Sequence, residues 1–255
     1  MEFAIVAVPC APVRRKPRHQ AEMTNQLLFG DTVLVLKSKK SFWFKVRSLT
    51  DHYEGWITAN MLKPVSEKTA RLFVPHVTAD ALTTITINGQ AMQVPMGAAL
   101  HNYSAGQAII DELAVEVTGN VHNREETARD PEHLQNIALR WLNAPYLWGG
   151  RTILGVDCSG FVQVTYKMLG VDLPRDAWQQ AQVGSSVAKL KNSQPGDLAF
   201  FDDKDEIVHV GILLGNDRII HSSGKVRIDT IDKKGIVHSE TGKRTHSLQL
   251  IKRLF

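Results

Sequence analysis

The chain has 255 residues, of which 43% are hydrophobic and 22% charged, so it is long enough for one large domain or for two to three small ones. A formal net charge of +4 is too small to indicate a nucleic-acid-binding protein, and the short basic run at 14–18 is typical of a solvated loop. Two cysteines, Cys10 and Cys158, exclude a disulfide framework and favour one buried thiol and one functional thiol.

The first ten residues do not have the pattern of a signal peptide. They lack a basic segment, and the apolar run at 3–8 is shorter than a signal-peptide core. No apolar run in the sequence approaches the ~20 residues of a membrane span. We therefore expect a cytoplasmic protein without a membrane span; a secreted form that has lost its leader is the alternative.

Residues 1–64 are predicted to form a small β-barrel. Short segments rich in β-branched and aromatic residues recur at 3–8, 31–36, 43–47 and 54–57. A long loop is predicted after the segment at 3–8, because Pro9, Pro12 and Pro17 interrupt regular structure there. The segment resembles a bacterial SH3-type domain in the order of its signals, which are Leu28-Phe29-Gly30-Asp31, then Trp43, then Tyr53-Glu54-Gly55-Trp56-Ile57, and a helical turn at 58–62.

Residues 65–125 are predicted to form further β structure. Strand patterns occur at 72–74, 84–90, 91–94 and 114–119, and Asn88-Gly89 is a strong hairpin signal. The segment fits a second, divergent SH3-like barrel or a β insertion packed on its neighbours, and we favour the barrel.

From Asp130 the hydrophobic period changes. Asp130 and Pro131 suit the start of a helix, and apolar residues at helical spacing predict helices at 131–143, 158–169 and 176–183. The period then returns to two, which predicts strands at 196–201, 208–214, 218–222 and 226–229. Helices followed by an antiparallel meander indicate an α+β domain over 126–255.

Cys158 opens the second of these helices. A thiol in the first turn of a helix is expected to ionise more easily, because the N-terminal dipole and the free N–H groups favour the thiolate. Its neighbours Asp157, Ser159 and Gly160 suit an open helix start better than a packed interior. On these residues alone, Cys158 is either a nucleophile or a buried core cysteine.

Two histidines lie on predicted neighbouring strands. His221 follows His209 by 12 residues (221 − 209), a spacing at which a hairpin brings the two side by side. A general base must be held rigidly near its nucleophile, and a third polar group can fix its tautomer. The pair favours catalysis by Cys158, with two satisfied half-buried histidines as the alternative. His238 and His246 are rival partners, in a charged segment that is predicted to be a loop.

Together, these features resemble the NlpC family of bacterial cell-wall cysteine peptidases over roughly residues 130–255. The motifs are Asp157-Cys158-Ser159-Gly160-Phe161-Val162, Gln194-Pro195-Gly196-Asp197-Leu198-Ala199-Phe200-Phe201, His209-Val210-Gly211-Ile212 and Ile220-His221-Ser222. The resemblance implies a papain-like core in which Cys158 is the nucleophile, His209 the general base and His221 the orienting residue. It also implies that Tyr146 lies near the oxyanion position; from the residues alone, Tyr146 is equally a packing aromatic.

NlpC domains preceded by SH3-type domains resemble γ-D-glutamyl-L-diamino-acid endopeptidases, which cut peptidoglycan stem peptides after L-Ala-γ-D-Glu and require a free N-terminal L-alanine. The residues that this resemblance assigns to substrate binding are Glu22, Tyr53, Asp157, Ser159 and Asp176. From the residues alone, Glu22 is a solvated acid and Asp176 a helix N-cap. Ala177 departs from the serine that is common at its position, so one substrate hydrogen bond is expected to be missing or replaced.

Three other functions stay open from the sequence. One is a peptidoglycan-binding protein whose peptidase domain is inert, and another is an amidase or acyltransferase on the same core. The third is a zinc site of Cys158, His209 and His221, which no second cysteine or carboxylate spacing supports. We expect a peptidoglycan stem peptide as the partner, no cofactor or metal, no nucleic acid and a monomer.

Overall fold

The computed structural model describes residues 2–203, 206–215 and 217–255. The chain divides into two compact units. Unit 1 contains the residues up to Glu126 together with Trp148–Ile153, and unit 2 contains Thr127–Leu147 and Leu154–Phe255. Among the described residues, no helix combines the length and the apolar character needed to cross a membrane.

Unit 1 begins with seven short strands: β1 Phe3–Val6, β2 Cys10–Arg14, β3 Met23–Leu28, β4 Thr32–Lys39, β5 Trp43–Ser48, β6 Glu54–Thr58 and β7 Leu62–Pro64. They form one sheet in the order β3-β2-β6-β5-β4-β1-β7. The buried side chains of Ala4, Val33, Val46 and Ile57 pack together inside it. The strands predicted near 31–36, 43–47 and 54–57 are therefore confirmed, as is the helical turn at Ala59–Met61.

Strands β2 and β3 occupy the stretch that was expected to be a long loop, so that expectation is wrong. Pro12 lies inside β2, opposite Gln26 of β3. On its other side β2 pairs with β6 at Arg14 and Trp56, away from the proline. Pro12 is tolerated because the missing N–H falls where no second strand requires it.

The rest of unit 1 comprises α1 Glu67–Ala70, β8 His76–Thr78, β9 Leu82–Ile87, β10 Gln90–Pro95, β11 Gln107–Ile110, β12 Leu113–Thr118, β13 Val121–Asn123 and β14 Arg151–Thr152. A four-stranded sheet has the order β10-β9-β12-β11, and β8 pairs with β13. The turn between β9 and β10 is confirmed at Asn88 and Gly89, whose φ angles are 51° and 75°.

Residues 72–74 are described and lie between α1 and β8 outside any strand, so the strand predicted there is wrong. Phe73 is 56% exposed, and the Arg124 guanidinium lies 5.7 Å from the centre of its ring. A short apolar run can thus be covered by a cation instead of by a paired strand.

The two parts of unit 1 share an apolar core. Ile5 and Phe29 pack in one cluster with Ile85 and Leu100. Close approach at this junction requires Gly30, whose φ is 81° and whose substitution would place a Cβ atom 2.0 Å from the Ala99 carbonyl oxygen. Residues 65–125 are therefore held against the first sheet by buried apolar surface.

Unit 2 comprises α2 Pro131–Leu139, β15 Gly155–Val156, α3 Cys158–Lys167, α4 Ala177–Gln180, β16 Ser185–Ser186, β17 Leu198–Asp203, β18 Glu206–Gly215, β19 Arg218–Ser223, β20 Lys225–Asp232, β21 Gly235–Val237 and β22 Arg244–Arg253. Its sheet has the order β16-β22-β17-β18-β19-β20-β21. Because β21 also pairs with β22, the six strands β17–β22 close into a barrel. Phe201, Leu213, Ile231 and Ile251 fill its core.

The three predicted helices of unit 2 are confirmed, with shorter spans. α2 ends early because Asn143 turns with a φ of 69° and donates its N–H to the Val226 carbonyl. α4 covers one turn behind its N-cap residue Asp176. The segment around His246, expected to be a loop, instead lies in the closing strand β22, where half-buried and exposed side chains alternate from His246 to Leu250.

Candidate active site

The helix start at Cys158 is built as the sequence predicts. Asp157 is the N-cap residue of α3, and its Oδ1 accepts the Gly160 N–H at 2.7 Å. Cys158 follows as the first helical residue and is 7% exposed. The thiol therefore lies at the N-terminal end of a buried helix with its backbone fixed by the cap.

A buried arginine that the sequence did not single out holds this cap in place. Arg175 is 1% exposed and donates to both carboxylate oxygens of Asp157, at 3.0 and 2.6 Å. It also donates to the Ser159 Oγ at 2.8 Å. Asp157 and Ser159, both expected to bind substrate, are thus immobilised on either side of the thiol.

The acidity of the thiol differs from the expectation. Burial, and secondly the charge of Asp157, raise the pKa of Cys158 to about 12. Hydrogen bonds from the backbone of Val210 and Ser159 and the charge of Arg175 act in the opposite direction but are outweighed. The expected lowering of the pKa at the helix start is therefore corrected: desolvation wins, and the resting sulfur is a thiol.

The two histidines lie side by side on the barrel. His209 is on β18 and His221 on β19, where His221 pairs in register with Gly211. The His209 Nε2 and the His221 Nδ1 are 2.8 Å apart. A Cβ atom on residue 211 would lie 2.9 Å from the His221 Cβ and 2.7 Å from the Ile219 Cδ1, so glycine permits this approach. The predicted adjacency of the two strands is confirmed.

Both imidazoles are neutral at rest. Burial is the largest cause that lowers the pKa of His209 well below its ordinary value, and the charges of His221, His246 and Arg227 add to it. Burial also lowers the pKa of His221, although a hydrogen bond to Asp229 opposes the change. The site is therefore prepared with a neutral thiol and a neutral base, so a proton must move when the sulfur attacks.

Two further side chains belong to the histidine cluster: His246, which the sequence offered only as a rival partner, and Asp229, which it did not single out. His246 on β22 stacks on the His209 ring, with centroids 4.2 Å apart and an interplanar angle of 21°. Asp229 on β20 is 1% exposed, and its Oδ2 is 3.0 Å from the His221 Nε2. The pattern at alternate positions, His246, Leu248 and Leu250, could have placed His246 on a strand. Nothing in the sequence distinguished Asp229.

Tyr146 lies in the same unit as the thiol. Its backbone N–H donates to the Gly224 carbonyl at 2.9 Å. Burial, followed by the charges of Cys158 and Asp157, raises the pKa of Tyr146 to about 12. The phenol is therefore a neutral hydrogen-bond donor whose pKa responds to a negative charge on the Cys158 sulfur, which suits the oxyanion position expected for it.

Unit 1 brings Glu22 and Tyr53 together. Both line an open cavity of about 350 Å³, with Thr24 and Trp56 in its wall. The Glu22 Oε1 accepts the indole N–H of Trp148 at 3.0 Å, and its Oε2 accepts from Arg15 at 3.3 Å. Glu22 is thus an oriented carboxylate rather than a merely solvated acid, and Trp148 is a partner that the sequence reasoning missed.

In unit 2, Asp176 occupies the helix N-cap position that the sequence offered as its alternative role. It is half-buried, and its backbone N–H donates to the Gln179 side chain at 3.3 Å. Ala177, at the position where serine was expected, is buried in the first turn of α4. Within the described ranges, no group of three or more His, Cys, Asp or Glu side chains is placed to hold a metal ion.

The raised pKa of Cys158 predicts how its rate of alkylation depends on pH. Alkylation of Cys158 by iodoacetamide should be slow near neutral pH and still accelerating at about pH 10, because the thiolate is the reactive form and burial raises its pKa to about 12. Peptide mapping by mass spectrometry separates Cys158 from Cys10, and free cysteine, which levels off above about pH 9, is the control. A rate for Cys158 that is already constant at neutral pH would contradict a neutral resting thiol.

Comparisons with known proteins agree with this architecture. Residues 143–245 match the model of the NlpC/P60 family, and residues 13–62 match the bacterial dipeptidyl-peptidase SH3 domain. The Gamma-D-glutamyl-L-lysine dipeptidyl-peptidase of Bacillus subtilis (strain 168) is 30% identical over 217 residues, covering 77% of this chain and 71% of the relative. Dipeptidyl-peptidase 6 of Lysinibacillus sphaericus is 26% identical over 256 residues, covering 91% and 92%.

The fold has a counterpart among solved structures. An NlpC/P60 family protein from Bacillus cereus ATCC 10987 superposes with a TM-score of 0.82, covering 98% of this chain and 99% of that one. The two sequences are 20% identical, so this likeness concerns the fold.

Proposed function

This chain belongs to the NlpC/P60 family of cysteine peptidases, and we propose that it hydrolyses the γ-D-glutamyl–diamino-acid bond of peptidoglycan stem peptides that carry a free N-terminal L-alanine. The observation that carries the chemistry is the buried thiol at the start of α3, in one unit with the hydrogen-bonded His209–His221 pair. The names of the two relatives, both dipeptidyl-peptidases, support the proposed substrate class.

The reaction begins with a proton transfer. As the Cys158 sulfur attacks the γ-carbonyl carbon of D-Glu, His209 accepts the thiol proton and becomes an imidazolium. The tetrahedral oxyanion is stabilised by backbone N–H groups at the start of α3 and by the phenol of Tyr146. Collapse breaks the C–N bond, and His209 returns its proton to the leaving amine of the diamino acid.

The second half of the reaction regenerates the enzyme. Cys158 now carries L-Ala-γ-D-Glu as a thioester. His209, neutral again, takes a proton from a water molecule that attacks the thioester carbonyl. When the C–S bond breaks, His209 returns this proton to the sulfur, and the new carboxyl group of the dipeptide releases its remaining proton to solvent. His221 holds the base in place throughout both steps.

Selectivity for a free amine requires an anion that an acylated amine would leave unpaired. We assign this role to the carboxylates of Glu22 and Asp176, with Tyr53 and Ser159 as further substrate contacts. The fixed orientation of Glu22 by Trp148 and Arg15 supports the assignment, because an oriented carboxylate loses less entropy on binding. A free-amine requirement would suit an enzyme that recycles released peptides, and the cytoplasmic location stays a prediction.

A matched set of peptides tests the proposed function. L-Ala-γ-D-Glu linked to diaminopimelate or to L-lysine should be hydrolysed to L-Ala-D-Glu and the free diamino acid, as measured by liquid chromatography with mass spectrometry. The N-acetyl versions should react about 10²–10⁴-fold more slowly, because acetylation removes the ammonium that the site binds. Equal rates for free and acetylated peptides would contradict the amine pocket. Binding to sacculi without cleavage of any peptide would favour the binding-protein alternative.

A further inference from the structure

The chain of hydrogen bonds that joins His209 to His221 continues to a third side chain, Asp229. Asp229, on the next strand β20, accepts at its Oδ2 from the His221 Nε2 at a distance of 3.0 Å. The same Oδ2 accepts from the Arg227 Nε at 2.9 Å, and the Oδ1 accepts the Ser239 N–H at 2.9 Å. With 1% of its surface exposed, Asp229 is a buried carboxylate anchored from three directions.

Asp229 is ionised in this environment. Burial by itself raises its pKa, but the hydrogen bonds from His221, the Ser239 amide and Arg227 together lower the pKa well below its ordinary value. An ionised carboxylate has acceptor sites only. The hydrogen in the contact with His221 therefore resides on the histidine Nε2.

The position of this hydrogen also fixes the hydrogen positions along the row, by which we mean the hydrogen-bonded side chains Asp229, His221 and His209. A neutral imidazole carries one N–H, so a His221 with its hydrogen on Nε2 has a lone pair on Nδ1. The 2.8 Å contact then requires the hydrogen of His209 to be on Nε2. His209 is left with a lone pair on Nδ1, the nitrogen that must take the thiol proton.

We propose that Asp229 is a positioning residue, which sets the tautomers of His221 and His209 through this one-way row of hydrogen bonds and so presents the His209 Nδ1 as the base. The proposal deepens the proposed function and rests on it for its role in turnover. It also gives Asp229 a part in the proton transfer itself. When His209 becomes an imidazolium, its Nε2–H donates to a His221 nitrogen that is already polarised by a buried anion.

Other charged and titratable groups face this row from the surrounding elements. His246 of β22 stacks on His209, and Arg227 of β20 lies beside Asp229. His238 is a further group that lowers the pKa of His221. All three favour neutral histidines, so Asp229 is the anion that offsets them within the row.

Asp229→Asn tests the proposal with little change in shape. The Asn amide can donate to the His221 Nε2, which would move the hydrogen of His221 to Nδ1 and that of His209 to Nδ1. The base would then lack its lone pair, and kcat/KM should fall about 10²–10⁴-fold, as expected when a relay carboxylate is replaced by its amide. The matched control is Asp232→Asn on the same strand, where Asp232 is exposed and paired with Arg244, and its kcat/KM should be unchanged.

The direct readout is the tautomer of each ring, measured by ¹⁵N NMR on histidine-labelled protein without substrate and assigned with single His→Gln variants. Wild-type protein should show Nε2–H on both His209 and His221, and Asp229→Asn should show Nδ1–H on both. Nδ1–H in the wild type would overturn the proposal even if Asp229→Asn failed to fold.

These tautomers are independent of the substrate. The predicted tautomers without hydrolysis of any γ-D-glutamyl peptide would therefore remove the proposed function while Asp229 kept its positioning role. Hydrolysis of the peptides with Nδ1–H on both rings would overturn the positioning role of Asp229 and leave the proposed function in place.

Discussion

Replacing Cys158 with alanine is expected to reduce hydrolysis of L-Ala-γ-D-Glu-diaminopimelate by about 10⁴-fold or more, because no other group in the proposed mechanism can form the covalent intermediate. The substitution removes one buried sulfur from the first turn of α3, whose backbone is fixed by the Asp157 cap. Circular dichroism should therefore show an unchanged fold. Initial rates over a range of substrate concentrations measure the loss.

The chain supplies its own control for this experiment. Cys10 is the other free thiol; it is half-buried, and burial also raises its pKa. Cys10→Ala should retain wild-type kcat/KM, since Cys10 takes no part in the mechanism. Retention of more than about a hundredth of the activity by Cys158→Ala would show that a different group carries the reaction.

The second large effect is expected on stability. Arg175→Met should lower the free energy of unfolding of unit 2 by about 3–5 kcal/mol, because removing one partner leaves the buried Asp157 charge uncompensated. The substitution also removes the hydrogen bond to Ser159. Hydrogen exchange of peptides from α3 in increasing denaturant reports this unit separately from unit 1.

Arg244→Met is the matched control for geometry. Arg244 contacts both carboxylate oxygens of Asp232, at 2.8 and 2.6 Å, much as Arg175 contacts Asp157. The side chains of this second pair are 37% and 50% exposed, so solvent screens it and its loss should cost far less than the loss of the Arg175 pair. Equal costs for the two variants would mean that burial does not decide the strength of the Arg175 pair.

The sequence was informative where structure is local or regularly spaced. Cys158 at a capped helix start, and His209 and His221 on adjacent strands, followed from periodicity and spacing. The resemblance to the NlpC family, and to a bacterial SH3-type domain in front of it, is confirmed. The α+β class is confirmed too, and the strands of unit 2 form a six-stranded barrel.

The site residues that the sequence did not identify are brought into place by strand pairing that closes the barrel of unit 2. Asp229 and Asp232 lie on the same strand and look alike in the sequence, yet one is 1% exposed and the other is an exposed partner of Arg244. The difference arises because β21 and β22 close the barrel. The same closure carries His246 onto the His209 ring, from a segment whose charges indicated a loop.

The thiol pKa was missed for a different reason. A helix start favours the thiolate, and the sequence shows the helix start. It does not show that Cys158 is only 7% exposed, and this burial, followed by the charge of Asp157, reverses the direction of the pKa shift. Burial is a property of the assembled fold, so the sign of this shift could not be obtained from the local pattern.

The central claim is that Cys158 itself becomes acylated by the γ-D-glutamyl group. Enzyme mixed with excess L-Ala-γ-D-Glu-diaminopimelate and quenched in acid during turnover should gain the mass of L-Ala-D-Glu less one water, on the peptide that contains Cys158. Steady turnover with no adduct on Cys158 in any quenched sample, or an adduct on another residue, would contradict the account.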